Sequence, residues 1–337
     1  METDSSEFIC ELTYRAISSA DFNIKTKAIW ELQTQVLSWL STSTCGAIVY
    51  GRARIGKTRA LSSVAVGIQD KYGSEFPVVI WDITDHAVTE KNFYTSLLMA
   101  MGFQNIPRAH TALALKERVL NELYLAAVKT PFKRVVIMLD EAWKLDEKDF
   151  SWLMDLYNNL NHKDIQLICF LFGTRELKDF KTEFKDQGKD QIVGRFMINE
   201  FQFCGIQDIK ELAVCLMALD KKTIRTNDGD STILVSDYFF PDREGRTFLD
   251  LVNDYWNAFL YIQGEYCIKS TDIPMKYLID SFILMLKNYG KFSPCKVAFP
   301  TSEELIKCVR ESGYGESDDE YDSAKQQSPK SKLHRRY

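Results

Sequence analysis

Gly51-Arg52-Ala53-Arg54-Ile55-Gly56-Lys57-Thr58 reads G-x-x-x-x-G-K-T, the pattern of a loop that wraps a phosphate chain. The run Ala47-Ile48-Val49-Tyr50 ahead of it has strand character, and residues 59–66 behind it suit a helix. Strand, loop and helix are the setting the motif needs. Glycines let the loop curl so that its amides converge on one anion, and the helix N-terminus adds partial positive charge. Arg52, Ala53, Arg54, Ile55 and Arg59 belong to the same binding segment. Lys57 is the candidate cation for the β- and γ-phosphates, and Thr58 offers a hydroxyl to Mg²⁺.

Downstream, Arg134-Val135-Val136-Ile137-Met138-Leu139-Asp140-Glu141 is a buried-strand run that ends in two carboxylates. Apolar runs of this kind belong to strands covered on both faces. Asp140 is the candidate Mg²⁺ ligand and Glu141 the candidate base that takes a proton from the attacking water. Together the two stretches imply ATP and Mg²⁺ as ligands.

Further strands are predicted over 76–83 and 165–172, and a strand-like segment over 197–201. Between them, apolar residues recur at helical spacing: Ile29, Leu32, Val36 and Trp39; Phe93, Leu97 and Leu98; Leu115, Val119, Leu123 and Ala127; Leu153, Leu156 and Leu160. Alternating strands and helices predict a parallel sheet covered by helices, with ligands at the carboxyl ends of its strands. Thr174, at the tip of the strand over 165–172, either touches the γ-phosphate or caps the next helix. Residues 178–189 are heavily charged and read as exposed.

After Gly205 the pattern becomes all-helical, and residues 222–240 read as a polar insertion. The expected organisation is a polar arm over 1–20, a P-loop α/β domain over 21–204 and a small helical lid over 205–311. A disordered tail, acidic then basic, follows over 312–337.

The chain has 337 residues, 45% hydrophobic and 26% charged, with net charge −5, which is ordinary globular composition. Overall acidity argues against bulk electrostatic nucleic-acid binding and leaves room for a local basic surface. The eight cysteines form no C-x-x-C pair and the four histidines are scattered. That pattern predicts reduced core thiols in a cytoplasmic protein without a zinc site. No signal peptide and no membrane-spanning run is visible.

These residues resemble the AAA+ ATPases, and within them the TnsC/TniB transposition regulators of the initiator-related group. The resemblance covers about residues 24–310. It rests on the helix over 29–40, GRARIGKT, VVIMLDEA, LFGTREL, and QIVGRF leading into the last strand and lid. It implies a P-loop AAA+ sheet with a helical lid, and an ATP-dependent ring or filament of this chain on double-stranded DNA. That assembly would connect a target-selector protein to a transposase. Thr174 then takes the sensor-one position, Arg195 that of an arginine finger completing the neighbour's site, and Arg246 that of a sensor-two arginine. The family's DNA-facing elements map to Lys91, Arg108, His110 and Thr111; Arg246 reads equally as a helix-start surface residue, and these four as a solvated loop. The tail and the stretch over 222–240 depart from the family.

Two other functions compete. A signalling or defence ATPase would keep the nucleotide site and never grip DNA. A helicase of the DEAH kind is suggested by Asp140-Glu141-Ala142-Trp143, but a second RecA-like domain is missing from the pattern.

Overall fold

A computed structural model describes residues 24–42, 44–106, 109–221 and 234–316. Most of the stretch over 222–240, Arg108, the arm over 1–20 and the tail beyond 316 therefore lie outside the described residues. The described chain divides into two units, residues 28–203 and residues 24–27 with 204–316.

In the first unit, strands β1 (Gly46–Tyr50), β2 (Val78–Asp82), β3 (Arg134–Asp140), β4 (Gln166–Gly173) and β5 (Asn199–Gln202) form one sheet in the order β2-β3-β4-β1-β5. Every pairing is parallel. The central strands β1, β3 and β4 are apolar and buried almost throughout, as strands covered on both faces must be.

Side-chain alternation sorts these residues into two cores. Ala47, Val49, Val136, Met138 and Phe170 face α1 (Lys27–Ser41) and α2 (Lys57–Tyr72), packing with Leu32, Val36, Leu61 and Val64. Ile48, Val135, Ile137, Leu139 and Leu171 face the opposite way. That side is covered by α3 (Glu90–Ala100), α4 (Ala112–Val128), α5 (Glu147–Asn161), α6 (Glu176–Asp186) and α7 (Asp190–Phe196). Each large aliphatic or aromatic side chain buried this way contributes roughly 1.5–3 kcal/mol.

Helix starts follow from local chemistry. Thr89 accepts from the Asn92 amide to cap α3. Asp146 and Asp149 satisfy each other's amides in a capping box at α5, meeting two of the donors that a helix N-terminus leaves open. The charged stretch over 178–189 is not wholly exposed: α6 buries Leu177 and Phe184, and Phe184 meets Phe150 edge-on at 5.3 Å. Two apolar residues seven apart suffice to seat a helix whose other faces are charged.

The second unit consists mainly of helices: α8 (Ile209–Asp220), α9 (Val235–Phe239), α10 (Val252–Glu265), α11 (Met275–Tyr289) and α12 (Ser302–Glu311), with 3₁₀ turns at Phe248–Leu251 and Tyr314–Glu316. One antiparallel bridge joins Ile206 and Ile273. Two sequence expectations change here. The end of the stretch over 222–240 is core, since Val235, Ser236, Phe239 and Phe240 are buried. Buried Asp220 anchors it by accepting from the Ser236 amide at 2.8 Å and the Ser236 hydroxyl at 3.0 Å. The expected tail also begins too early, because Tyr314 is fully buried, with Phe259 at 5.0 Å and Gln263 donating to its hydroxyl at 2.7 Å. At the other end, Ile24 packs into this same core rather than into the sheet unit.

Candidate nucleotide site

The site is built at the carboxyl ends of β1, β3 and β4. β1 ends at Tyr50, and the Gly51 amide donates to the Gly173 carbonyl at 3.2 Å, tying the loop to the end of β4. A Cβ on Gly51 would lie 2.3 Å from the Phe203 carbonyl oxygen and 2.5 Å from Ile55 Cδ1, so only glycine fits. Arg54 and Gly56 then take left-handed backbone, φ 64° and 101°, which costs a glycine little and an arginine more. The turn ends where Lys57 opens α2.

Lys57 is 6% exposed. Its Nζ donates to the Arg52 carbonyl at 2.6 Å and the Gly51 carbonyl at 3.2 Å. Burial pushes its pKa down, while Glu141 and Asp140 oppose that shift. A cation so placed, at a helix N-terminus beside two carboxylates, suits a polyphosphate that carries a divalent metal. Ile55 is buried, whereas Ala53, Arg54 and Arg59 are exposed and Arg52 is half-buried.

Thr58 and Asp140 bring hard oxygen atoms together beside the loop. Thr58 Oγ1 donates to Asp140 Oδ2 at 2.6 Å, and the Glu141 amide donates to Oδ1 at 3.0 Å. A hydroxyl and a carboxylate converging from α2 and β3 are hard oxygen donors of the kind Mg²⁺ takes. The residues present fit that ion.

Glu141 has left-handed backbone, φ 53° and ψ 33°, just past the end of β3. Its carboxylate is not loose: Trp143 Nε1 donates to Oε2 at 2.5 Å. Thr174 follows directly on β4, and its hydroxyl donates to the Glu176 carboxylate. The cap reading for Thr174 does not hold, because Arg175 occupies the N-cap of α6 and makes no side-chain cap bond.

Two neighbours of the site escaped the sequence reading. Asp82 ends β2 in register with Asp140 and is exposed. The signal was there, a second apolar strand closing on an acid, but the pairing that sets it beside Asp140 is not in the sequence. Trp143 is the other.

The remaining predicted residues lie apart. Arg195, near the end of α7, has its carbonyl against Gly46 at the amino end of β1, opposite to the end that carries the P-loop. Its guanidinium sits 5.2 Å from the Tyr157 ring centroid, and the Tyr157 hydroxyl is 3.3 Å from Cys45 Sγ. Arg246 belongs to the second unit, stacked 4.6 Å from the Phe299 ring centroid, with Nε donating to the Arg243 carbonyl at 3.1 Å. Lys91 is in the first turn of α3. Thr111 caps α4 by accepting from the Ala114 amide at 3.2 Å, and His110 directly precedes it.

Residues 42–180 match the family model described as an AAA domain. No curated protein sequence matches the chain. Among solved structures it is similar to the Walker-type ATPase PABY2304 of Pyrococcus abyssi, at 14% identity and TM-score 0.54, over 89% of this chain and 76% of that one. It is also similar to the Aeropyrum pernix ORC2 protein, solved in ADPNP–ADP complexes, at 13% identity and TM-score 0.47, over 84% of this chain and 66% of that one. A third is Drosophila ORC bound to DNA, at 12% identity and TM-score 0.48, over 90% of this chain and 65% of that chain. The chain thus spans about two thirds of the latter two proteins. Its sheet and helices are those of a P-loop AAA+ α/β fold. No described helix is long and apolar enough to cross a membrane.

Proposed function

We propose that this chain is an ATPase that oligomerises on double-stranded DNA and links target-site selection to a transposase. The observation that carries the ATPase part is the Thr58–Asp140 hydrogen bond beside the buried Lys57 ammonium. The loop over 51–58 and Lys57 bind the phosphates of ATP. Thr58 and Asp140 would hold Mg²⁺, which when bound neutralises phosphate charge.

Glu141 accepts a proton from water as its oxygen bonds to the γ-phosphorus and the bond to the bridging oxygen of ADP breaks. The products are ADP and phosphate. Thr174 orients the reacting groups, and Arg195 of a neighbouring copy stabilises the charge that develops. Arg246 senses the nucleotide from the helical unit.

The DNA and transposition part rests on the resemblance of the motif set to the TnsC/TniB regulators, with a target selector and a transposase as protein partners and the cytoplasm as the compartment. Its test is binding of the full chain to duplex DNA in ATP and in ADP over a range of salt. ATP-promoted, sequence-independent and salt-sensitive binding is expected. Lys91→Ala and Arg108→Ala should each weaken it on all sequences and lower the salt slope by about one unit. Hydrolysis without any nucleotide-dependent DNA binding would leave a signalling or defence ATPase as the better account.

A further inference from the structure

Glu141 stands on a strained backbone and is steadied by a residue two places on. The 3₁₀ turn Ala142–Lys144 is closed by the Lys144 amide donating to the Glu141 carbonyl at 3.0 Å and the Leu145 amide to the Ala142 carbonyl at 3.2 Å. Ala142 is fully buried, so the turn is anchored, and it sends the Trp143 indole back toward Glu141.

The indole has a seat prepared for it. A Cβ on Gly173 would come within 3.2 Å of Trp143 Cδ1 and 2.9 Å of Leu177 Cδ1. The absence of a side chain at the last residue of β4 therefore makes the notch that Trp143 fills. On the other side Lys144 Nζ lies 5.7 Å from the indole centroid.

We infer that Trp143 is a positioning residue for the base. Its Nε1–H holds Oε2 of the Glu141 carboxylate at 2.5 Å and leaves Oε1 to take the proton of the attacking water. A bond from a neutral N–H to a carboxylate is charge-assisted and directional. It fixes a side chain whose three torsions would otherwise be free to carry the carboxylate away from the water. This inference rests on the proposal that Glu141 is the base.

Trp143→Phe keeps a ring in the notch and removes only the donor. In the full chain with duplex DNA, kcat for ATP should fall about ten- to hundredfold, the range of one charge-assisted hydrogen bond, with KM and nucleotide affinity unchanged. Gly173→Ala, which crowds the indole from the other side, should reproduce the loss of kcat. In a Glu141→Gln background, Trp143→Phe should cost little more.

A readout independent of turnover is the indole N–H resonance of Trp143, one of six tryptophans, assigned by its loss in Trp143→Phe. It should move in Glu141→Ala. An unmoved resonance, or wild-type kcat in Trp143→Phe, would overturn the inference while leaving the base assignment standing. An equal loss of nucleotide affinity would make Trp143 a packing residue and overturn it too. If wild type does not hydrolyse ATP, or Glu141→Gln hydrolyses at the wild-type rate, the base reading fails and this inference falls with it.

Discussion

The Thr58 hydroxyl and the Asp140 carboxylate, 82 positions apart, meet at 2.6 Å. The bond joins the first turn of α2 to the tip of β3, so the P-loop helix and the acid-bearing strand hold one geometry. Asp140 is 4% exposed, and a buried carboxylate oxygen that loses its donor bears the desolvation penalty alone. Thr58→Ala should therefore lower unfolding stability by about 1–3 kcal/mol as well as weaken Mg²⁺-dependent nucleotide binding. Chemical denaturation of the apoprotein checks the first effect; unchanged stability would mean that the bond contributes nothing by itself.

Lys57 and Glu141 should separate binding from chemistry. Lys57→Ala removes the buried cation and is expected to abolish ATP binding. Glu141→Gln keeps Asp140 and Thr58 and should bind ATP while hydrolysis stalls. Equilibrium binding of a fluorescent nucleotide alongside phosphate release distinguishes the two variants. Normal turnover by Glu141→Gln would remove the base from Glu141.

Arg195 sits at the amino end of the sheet, away from the P-loop of the same chain. Arg195→Ala should leave nucleotide binding by an isolated subunit nearly intact and lower hydrolysis on the order of a thousandfold. Mixing Arg195→Ala with Glu141→Gln chains should restore part of the activity, since some interfaces then join an intact site to an intact arginine. The alternative is that Arg195 only braces Tyr157. In that case the variant would unfold more easily, and mixing would restore nothing in a phosphate-release assay.

Asp149 gives a pH prediction. Burial pushes its carboxyl up to about 6 against an ordinary value of 3.8; the Asp146 amide opposes the shift, the Asp146 charge adds to it, and the Ala87 amide and His86 oppose it. The folded state thus holds this proton more tightly than the unfolded chain. The resulting stability is fully present below about 3.8 and is lost as pH rises through about 6. Asp149→Asn does not titrate. The stability of wild type minus that of Asp149→Asn should fall by about 1–3 kcal/mol between pH 4 and pH 7. A pH-independent difference in urea midpoints would show that burial does not govern this group.

The P-loop, the β3 acids and the helix–strand alternation were legible because each is local: a motif of fixed spacing, or an apolar period over ten or more residues. What was missed depends on distant pairing or on very short elements. Asp82 gains its meaning from its register with Asp140, which no window of sequence contains. Trp143 lies in a three-residue turn, too short for any period, and its seat is made by Gly173 on another strand. Tyr314 is an aromatic anchor among small, polar and acidic neighbours, so averaged composition hides it, although it is fully buried.

Gly51 has one more implication. A Cβ at Gly51 would run into the Phe203 carbonyl, and the Phe203 amide donates to the Tyr50 carbonyl at 2.8 Å. Phe203 is also the last residue of the sheet unit. The doorway of the phosphate loop and the point where the chain departs from the sheet are thus mechanically one joint. Densely packed contacts of this kind transmit displacement rather than absorb it. A ligand that shifts the Gly51 backbone therefore loads the Phe203 peptide directly, as a wedge loads the stone beside it.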